Sequence, residues 1–117
     1  MNESNLQDRI RLAISESKLA IMFRNNVGMA RLKGGGRMRY GLTRGSSDLI
    51  GYRTITITPD MIGKQIAVFA AIEIKTGRGV LSEEQQNFMT QVLLAGGIAG
   101  VVRSEEEAKK LLKGYTE

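Results

Sequence analysis

Glu73 and Lys75 are the side chains of this sequence whose charge and position could do chemistry. They stand two positions apart in the run Phe69–Gly77, which otherwise holds mainly small and strand-favouring residues. Side chains two apart on a strand share one face. A carboxylate there can bind a hard divalent cation, and a lysine beside it can orient the attacking water and stabilise charge on a phosphate. This is the chemistry of metal-assisted phosphodiester hydrolysis. The alternative interpretation is an ion pair at the solvated end of a strand.

Two further residues could complete such a site. Asp48 follows the turn Gly45–Ser47 at the start of a predicted strand, where a second carboxylate could converge with Glu73 on the cation. Gln85 lies in the first turn of the helix predicted after the strand, where it could hold Lys75 or the water. An ordinary turn aspartate and an ordinary capping residue are the alternative interpretations of Asp48 and Gln85.

The composition of the 117-residue chain excludes several other kinds of site. It has no Cys and no His, which removes thiolate nucleophiles, imidazole acid–base catalysis and Cys or His metal ligands. An oxygen-only cation site beside a lysine needs neither residue type. The chain carries 17 Lys and Arg residues against 12 Asp and Glu residues, a formal charge of +5, which favours a polyanionic partner. Nucleic acid is the first candidate.

The elements that must position these residues are predicted from periodicity and capping signals. Apolar residues recur at helical spacing over residues 3–18, and Ser82 and Ser104 each open a further helix, the first of which ends at Gly96–Gly97. The strands are predicted over residues 20–23, 48–51, 52–58, 65–75 and 98–102, with 52–58 and 65–75 forming a hairpin or meander. We expect one α/β domain over residues 1–117 with the order α-β-β-β-α-β-α, in which the adjoining stretches 48–51 and 52–58 count as one strand.

The segment between residues 24 and 44 is basic and contains no acid. Three consecutive glycines, Gly34–Gly36, disfavour a stable regular element there, so a mobile loop or ribbon is expected. If the metal site exists, this segment is a candidate DNA clamp whose cations neutralise phosphates. A solvated loop is the alternative. The candidate DNA-binding residues of the segment are Arg24, Arg31, Lys33, Arg37, Arg39 and Arg44, and Ser46, Ser47 and Arg78 are further candidates.

Several short motifs, taken in order, resemble one known family. The sequence is similar to the virus-type replication-repair nuclease (VRR-NUC) domain of the PD-(D/E)XK superfamily, and the resemblance covers nearly the whole chain. The motifs that carry it are Phe23–Gly28, Gly45–Gly51, Ile72–Thr76, Gly79–Phe88 and Ala95–Ala99. The resemblance implies a Mg²⁺- or Mn²⁺-dependent DNA endonuclease with a restriction-endonuclease-like core, a mixed sheet flanked by helices.

The resemblance also implies a role for each matching residue. Asp48 and Glu73 become the metal-binding acids, and the backbone carbonyl of Ile74 is a possible further ligand. Lys75 becomes the catalytic lysine and Gln85 the supporting glutamine. Many members of the superfamily place another acid in the first helix, which here points to Glu3, with Glu16 on the same helix as the alternative.

Asp60 is a competing choice for the first acid. The superfamily name, taken literally, selects Pro59–Asp60, which lies 13 residues before Glu73. Pro59 to Gly63 is typical of a turn between two strands, which would place Asp60 at the far end of the strand that carries Glu73. That strand would separate the two acids by about 30 to 40 Å. We therefore predict Asp48 as the partner of Glu73.

The expected activity is structure-selective cleavage of branched DNA, similar to that of a Holliday-junction resolvase. The alternatives are a non-catalytic nucleic-acid-binding module and an exonuclease of the same superfamily. A homodimer is expected, because one small domain cannot easily embrace both strands of a junction. The resemblance suggests recombination, replication or repair of a phage or other viral genome. No apolar stretch reaches the roughly 20 residues of a membrane helix, so a cytoplasmic protein is expected, in the host cell if the chain is viral.

Overall fold

The computed structural model of the protein describes residues 2–114. Contacts between Cα atoms divide the chain into two compact units, with the boundary between Arg53 and Thr54. The elements, in chain order, are α1 (Glu3–Ser17), β1 (Ile21–Arg24), β2 (Gly28–Arg31), β3 (Arg37–Tyr40), β4 (Leu49–Tyr52), a 3₁₀ helix (Pro59–Met61), β5 (Ala70–Ile74), α2 (Glu83–Leu94), β6 (Ile98–Val102) and α3 (Glu105–Lys113). The prediction of one domain over residues 1–117 stays a prediction.

The first unit is built on α1 and an antiparallel pair of strands. The Asn2 side chain caps α1 by accepting a hydrogen bond from the Asn5 N–H at 2.8 Å, and the helix ends at Lys18, which adopts the left-handed conformation with φ 57°. The helix contacts β1. Strands β1 and β4 pair antiparallel, with Phe23 opposite Ile50. These elements confirm the helix and the two strands predicted here, with each strand one residue later than expected.

The basic segment contains a hairpin, which is a ribbon, one of the two forms expected, although its regular strands were not expected. Strands β2 and β3 pair antiparallel, with Gly28 opposite Tyr40 and Arg31 opposite Arg37. The three glycines lie in the turn, all with positive φ (91°, 103° and 84°), a conformation that glycine adopts without steric cost. Glycine therefore permits the reversal between the strands. The glycines disfavour regular structure only within the turn, and the residues on either side of it are free to pair.

The second unit contains a β-α-β crossover. Strands β5 and β6 pair in parallel, from Ala70 opposite Ile98 to Ile74 opposite Val102, and α2 connects them. Val92 of α2 is only 1% exposed, and Ala99 and Val102 of β6 are also buried. Helix α3 packs on the other face of the sheet, where a Cβ atom at Gly100 would lie 3.0 Å from the Leu111 side chain. Strand β6 and both helices have the predicted positions.

Three expectations about the strands were wrong. Residues 53–58 and 64–69 form no strand, so the predicted hairpin around Pro59 is replaced by irregular chain on either side of the 3₁₀ helix. The β-branched pattern of 52–58 favours a strand, yet a strand also needs a partner for its backbone groups. The strands of residues 2–114 form three separate pairs instead of one mixed sheet, and five strands instead of three precede α2. The structure is mixed α/β, as expected.

Within residues 2–114, the structure has no helix that combines the length and the apolar character needed to cross a membrane.

Candidate functional site

Three of the predicted site residues meet at the end of β5. The Lys75 Nζ atom lies 3.7 Å from the Glu73 Oε1 atom, and the Gln85 Nε2 atom donates a hydrogen bond to the same oxygen at 2.8 Å. The side chains of Glu73 and Lys75 are 35% and 21% exposed. The strand explains the first contact, because positions 73 and 75 share one face, and α2 covers that face and supplies Gln85. One carboxylate oxygen thus has both a cation and an amide donor.

Gln85 caps α2, as one of its two interpretations expected, and it also contacts the candidate site. Its Oε1 atom accepts a hydrogen bond from the Ser82 N–H at 3.0 Å, while its own N–H donates to Ser82 Oγ at 3.1 Å. This reciprocal capping box begins α2. The Nε2 atom of the same amide is therefore free to point at Glu73, which is its partner instead of the predicted Lys75 or water. The cap fixes the rotamer that delivers the amide to the carboxylate.

The segment after Lys75 is tied to the end of β6 by hydrogen bonds of both backbone and side chain. The Lys75 N–H donates to the Val102 carbonyl at 3.2 Å. The guanidinium group of the next residue, Arg103, donates to the carbonyls of Gly77 at 2.9 Å and of Gly79 at 2.5 Å. The sequence analysis missed Arg103, because an arginine that caps carbonyls across the sheet has no local signal in the sequence.

The donor set around Glu73 suits a hard divalent cation. It consists of oxygen donors: the Glu73 carboxylate and, as the resemblance implies, the main-chain carbonyl of Ile74, the last residue of β5. Residues 2–114 hold no group of three or more acids that could bind a metal ion together.

An open cavity of about 490 Å³ lies beside this cluster within the second unit. Its wall includes Glu73 and Gln85 on the polar side and Phe88 and Met89 of α2 on the apolar side. The carboxylate is therefore accessible to a molecule larger than water.

Asp48 lies in the first unit, directly before β4, with its side chain exposed. The Asp48 carbonyl accepts a hydrogen bond from the Asn25 N–H at 2.9 Å, and the Asn25 side chain donates to Ser46 Oγ at 2.7 Å and to the Ser47 carbonyl at 2.9 Å. The Asn25 Oδ1 atom also accepts a hydrogen bond from the Leu42 N–H at 3.0 Å. Asn25 thus holds both ends of the loop that leads to Asp48. Asn25 lies in the motif Phe23–Gly28, and this resemblance is the feature of the sequence that could have indicated its role.

The hairpin β2–β3 sorts its side chains onto two faces. Residues directly opposite each other in an antiparallel pair share a face, and positions along each strand alternate. One face carries Met29, Arg31, Arg37 and Arg39, and the other carries Gly28, Ala30, Met38 and Tyr40. The chain has no acidic residue between Glu16 and Asp48. Three of the predicted DNA-binding residues therefore lie side by side on one exposed face, with Arg31 and Arg37 directly opposite.

The remaining predicted DNA-binding residues have other surroundings. The Arg24 guanidinium lies 3.6 Å from the Asp8 carboxylate, so its charge is partly compensated. The Ser46 hydroxyl oxygen is engaged with Asn25. Exposed positions in turns and loops are occupied by Lys33, Arg44, Ser47 and Arg78.

The other acids considered from the sequence are exposed. Glu3 is the first residue of α1 and Glu16 lies near its end. Asp60 lies in the 3₁₀ helix, where its carboxylate accepts a hydrogen bond from the Thr58 hydroxyl. Because β5 begins only at Ala70, the long strand on which we based the separation of Asp60 from Glu73 does not form. The choice of Asp48 over Asp60 stays a prediction.

The carboxylate, lysine and amide that meet at the end of β5 are residues to which the resemblance gives roles in a nuclease site. A family model described as the VRR-NUC domain matches residues 6–106. The chain belongs to this family, and it is therefore a nuclease-type hydrolase that acts on nucleic acid, with DNA as the implied substrate. The match includes every resembling motif and leaves Glu3 outside. No match is found among curated proteins or among solved structures.

Proposed function

We propose that the protein is a metal-dependent, structure-selective DNA endonuclease that hydrolyses phosphodiester bonds in branched DNA. The observation that carries this proposal is the cluster of Glu73, Lys75 and Gln85 at the open end of β5. A carboxylate in a purely structural ion pair needs only the lysine. Here an amide, fixed by the α2 capping box, also donates to the carboxylate and orients it, as an outer partner of a metal ligand does.

Asp48 and Glu73 are the proposed acids that hold Mg²⁺ or Mn²⁺, with the Ile74 carbonyl as a further ligand. When bound, the ion polarises the phosphate and favours ionisation of a water molecule. Lys75 places its positive charge next to the Glu73 carboxylate, where it stabilises the additional negative charge that develops on the phosphoryl oxygens. The water oxygen forms a new bond to phosphorus and gives up one proton, one ester P–O bond breaks, and the leaving oxygen takes up a proton.

The arginine face of the hairpin is the proposed contact with the DNA backbone. Arg31 and Arg37 are like charges directly opposite each other, an arrangement that destabilises a strand pair unless an anion compensates it. Phosphates supply that compensation, and guanidinium groups bind them in a bidentate manner. Such contacts give affinity without reading sequence. This favours recognition of DNA by backbone and shape.

Branched-DNA cleavage is tested by incubating the protein with four-way junctions, flaps, splayed arms, hairpins and linear duplexes in Mg²⁺ or Mn²⁺. We expect internal cuts in branched substrates, none after the metal is chelated, and none with Lys75→Ala. The matched control is Lys64→Ala, which removes an exposed lysine of the same unit. Binding without cutting in either metal would leave a nucleic-acid-binding module, and release of mononucleotides from ends would leave an exonuclease.

A further inference from the structure

The structure points to Arg103 as a positioning residue for Lys75. Arg103 follows Val102, whose carbonyl accepts the Lys75 N–H at 3.2 Å, and its guanidinium donates to the carbonyls of Gly77 and Gly79 at 2.9 and 2.5 Å. Three hydrogen bonds therefore join the segment 75–79 to residues 102–103. Arg103 therefore connects the end of β6 to the loop that follows Lys75.

The fork of the guanidinium suits this role. Its nitrogen atoms lie in one plane with fixed spacing, so a single side chain can hold two carbonyls that point the same way around a turn. The arginine is itself held from the other side, since its backbone N–H donates to the Glu107 carboxylate at 2.5 Å in the first turn of α3. The backbone of Arg103 is thus held by α3, and its guanidinium group is held by the loop after Lys75.

The loop in turn limits where the lysine can lie. A Cβ atom at Gly79 would be 3.5 Å from Lys75 Cδ and 3.7 Å from Lys75 Cβ, so the Gly79 backbone lies against the aliphatic stem of the lysine. This contact leaves the Nζ atom beside Glu73. Without the Arg103 bonds, Gly79 keeps the hydrogen bond from its N–H to the Thr76 carbonyl at 3.0 Å, but the turn is no longer tied to Arg103. The lysine stem then lacks a fixed surface that directs it toward the carboxylate.

Arg103→Met is the main test, with Arg53→Met as the matched control. Arg53 also donates to a backbone carbonyl, that of Leu19, and its replacement removes the same charge in the first unit. We expect kcat for junction cleavage to fall by about ten- to hundredfold in Arg103→Met, because a misplaced reacting group costs about this much. KM and the thermal midpoint should stay close to those of Arg53→Met. Arg103→Lys, which has donors but no fork, should recover part of kcat.

A second measurement does not depend on cleavage. Acetylation of each lysine by a water-soluble acetylating reagent is followed by mass spectrometry, with exposed Lys64 as the internal reference. In Arg103→Met, the rate at Lys75 should rise toward the rate at Lys64. An unchanged rate together with an unchanged kcat would overturn the positioning role, and so would a rise in KM alone, which would indicate that Arg103 binds phosphate.

The measurement of kcat rests on the proposed nuclease activity, whereas the measurement of acetylation does not. The two together distinguish a failure of the proposed function from a failure of the positioning role. If the wild-type protein cuts no DNA, the proposed function is wrong, and the acetylation rates still decide whether Arg103 positions Lys75. If Arg103→Met does not fold, the intermediate kcat and acetylation rate expected of Arg103→Lys decide the question.

Discussion

Gln85 shows how one side chain connects helix formation to a candidate active site. The two ends of its amide have different partners: Oε1 accepts from Ser82 at 3.0 Å and Nε2 donates to Glu73 at 2.8 Å. A carboxylate can replace the first function, since Glu also forms capping boxes, but it cannot donate to Glu73. The two roles can therefore be separated by substitution.

We predict that Gln85→Glu loses cleavage while keeping α2. Cleavage should fall by about 10- to 100-fold, the usual effect of losing an outer partner of a metal ligand, because two carboxylates then face each other. The free energy of unfolding should fall by less than in Gln85→Ala, which loses the side-chain bond to the Ser82 N–H and with it the reciprocal half of the capping box. Gln86→Glu adds the same charge one position later and is the control. Full cleavage by Gln85→Glu would contradict the supporting role.

The choice between Asp48 and Asp60 is also decided at the residue scale. Asp48 follows a loop that Asn25 holds at both ends, whereas Asp60 lies in a 3₁₀ helix and accepts a hydrogen bond from the Thr58 hydroxyl. Both acids are exposed, so Asp48→Asn and Asp60→Asn are matched changes of charge. We predict that only Asp48→Asn reduces cleavage at fixed Mg²⁺, by about 100-fold or more. Retained cleavage in Asp48→Asn with loss in Asp60→Asn would reverse the assignment.

At the scale of elements, the hairpin converts a run of basic residues into a surface with two faces. Pairing places Arg31, Arg37 and Arg39 together, while Met38 and Tyr40 lie on the opposite side. Helix α3 offers a comparable set of three cations, Lys109, Lys110 and Lys113, on an element whose first turn is acidic. The two sets carry the same charge in different surroundings.

We predict that replacing the three hairpin arginines by Gln weakens duplex binding and flattens its salt dependence. The slope of log Kd against log salt should fall by roughly 0.9 for each phosphate that is no longer neutralised. The measurement uses the Lys75→Ala background, so that the DNA stays intact. The control replaces the three lysines of α3 by Gln, which changes the net charge by the same amount. Equal effects of the two triple variants would show that only net charge matters.

At the scale of the whole molecule, a four-way junction requires cuts in two strands. One chain of 12.9 kDa has one copy of Glu73, Lys75 and Gln85, so paired cuts in a single encounter require two chains. We predict a homodimer with two active sites. Sedimentation should give a mass of two chains, and an active monomer would contradict the prediction.

Mixing wild-type protein with Lys75→Ala tests whether the two sites act independently. On a supercoiled plasmid with an extruded cruciform, wild-type dimers should produce linear DNA. Mixed dimers should produce nicked circles, because only one site cuts. Lys75→Ala alone should leave the plasmid supercoiled. Linear product from mixed dimers at the wild-type rate would show that one site cuts both strands.

Local signals predicted the elements that have their own start and stop residues. The capping residues Ser82 and Ser104 placed α2 and α3, and the helical spacing of apolar residues placed α1. The strand over 52–58 was predicted from β-branched residues alone and does not form, because a strand depends on a partner that propensity does not describe. The hairpin β2–β3 was missed for the opposite reason, since its pairing stabilises a sequence of low strand propensity.

The sequence by itself determined that any catalytic site must use carboxylates, lysine, hydroxyls or a bound ion, because His and Cys are absent. It also determined that Glu73 and Lys75 share a face, since that follows from the alternation of a strand. Only the tertiary structure decided that Gln85 donates to Glu73, that Arg103 holds the loop beside Lys75, and which arginines share a face. These contacts join residues that are distant in sequence, and their partners depend on strand register and helix packing.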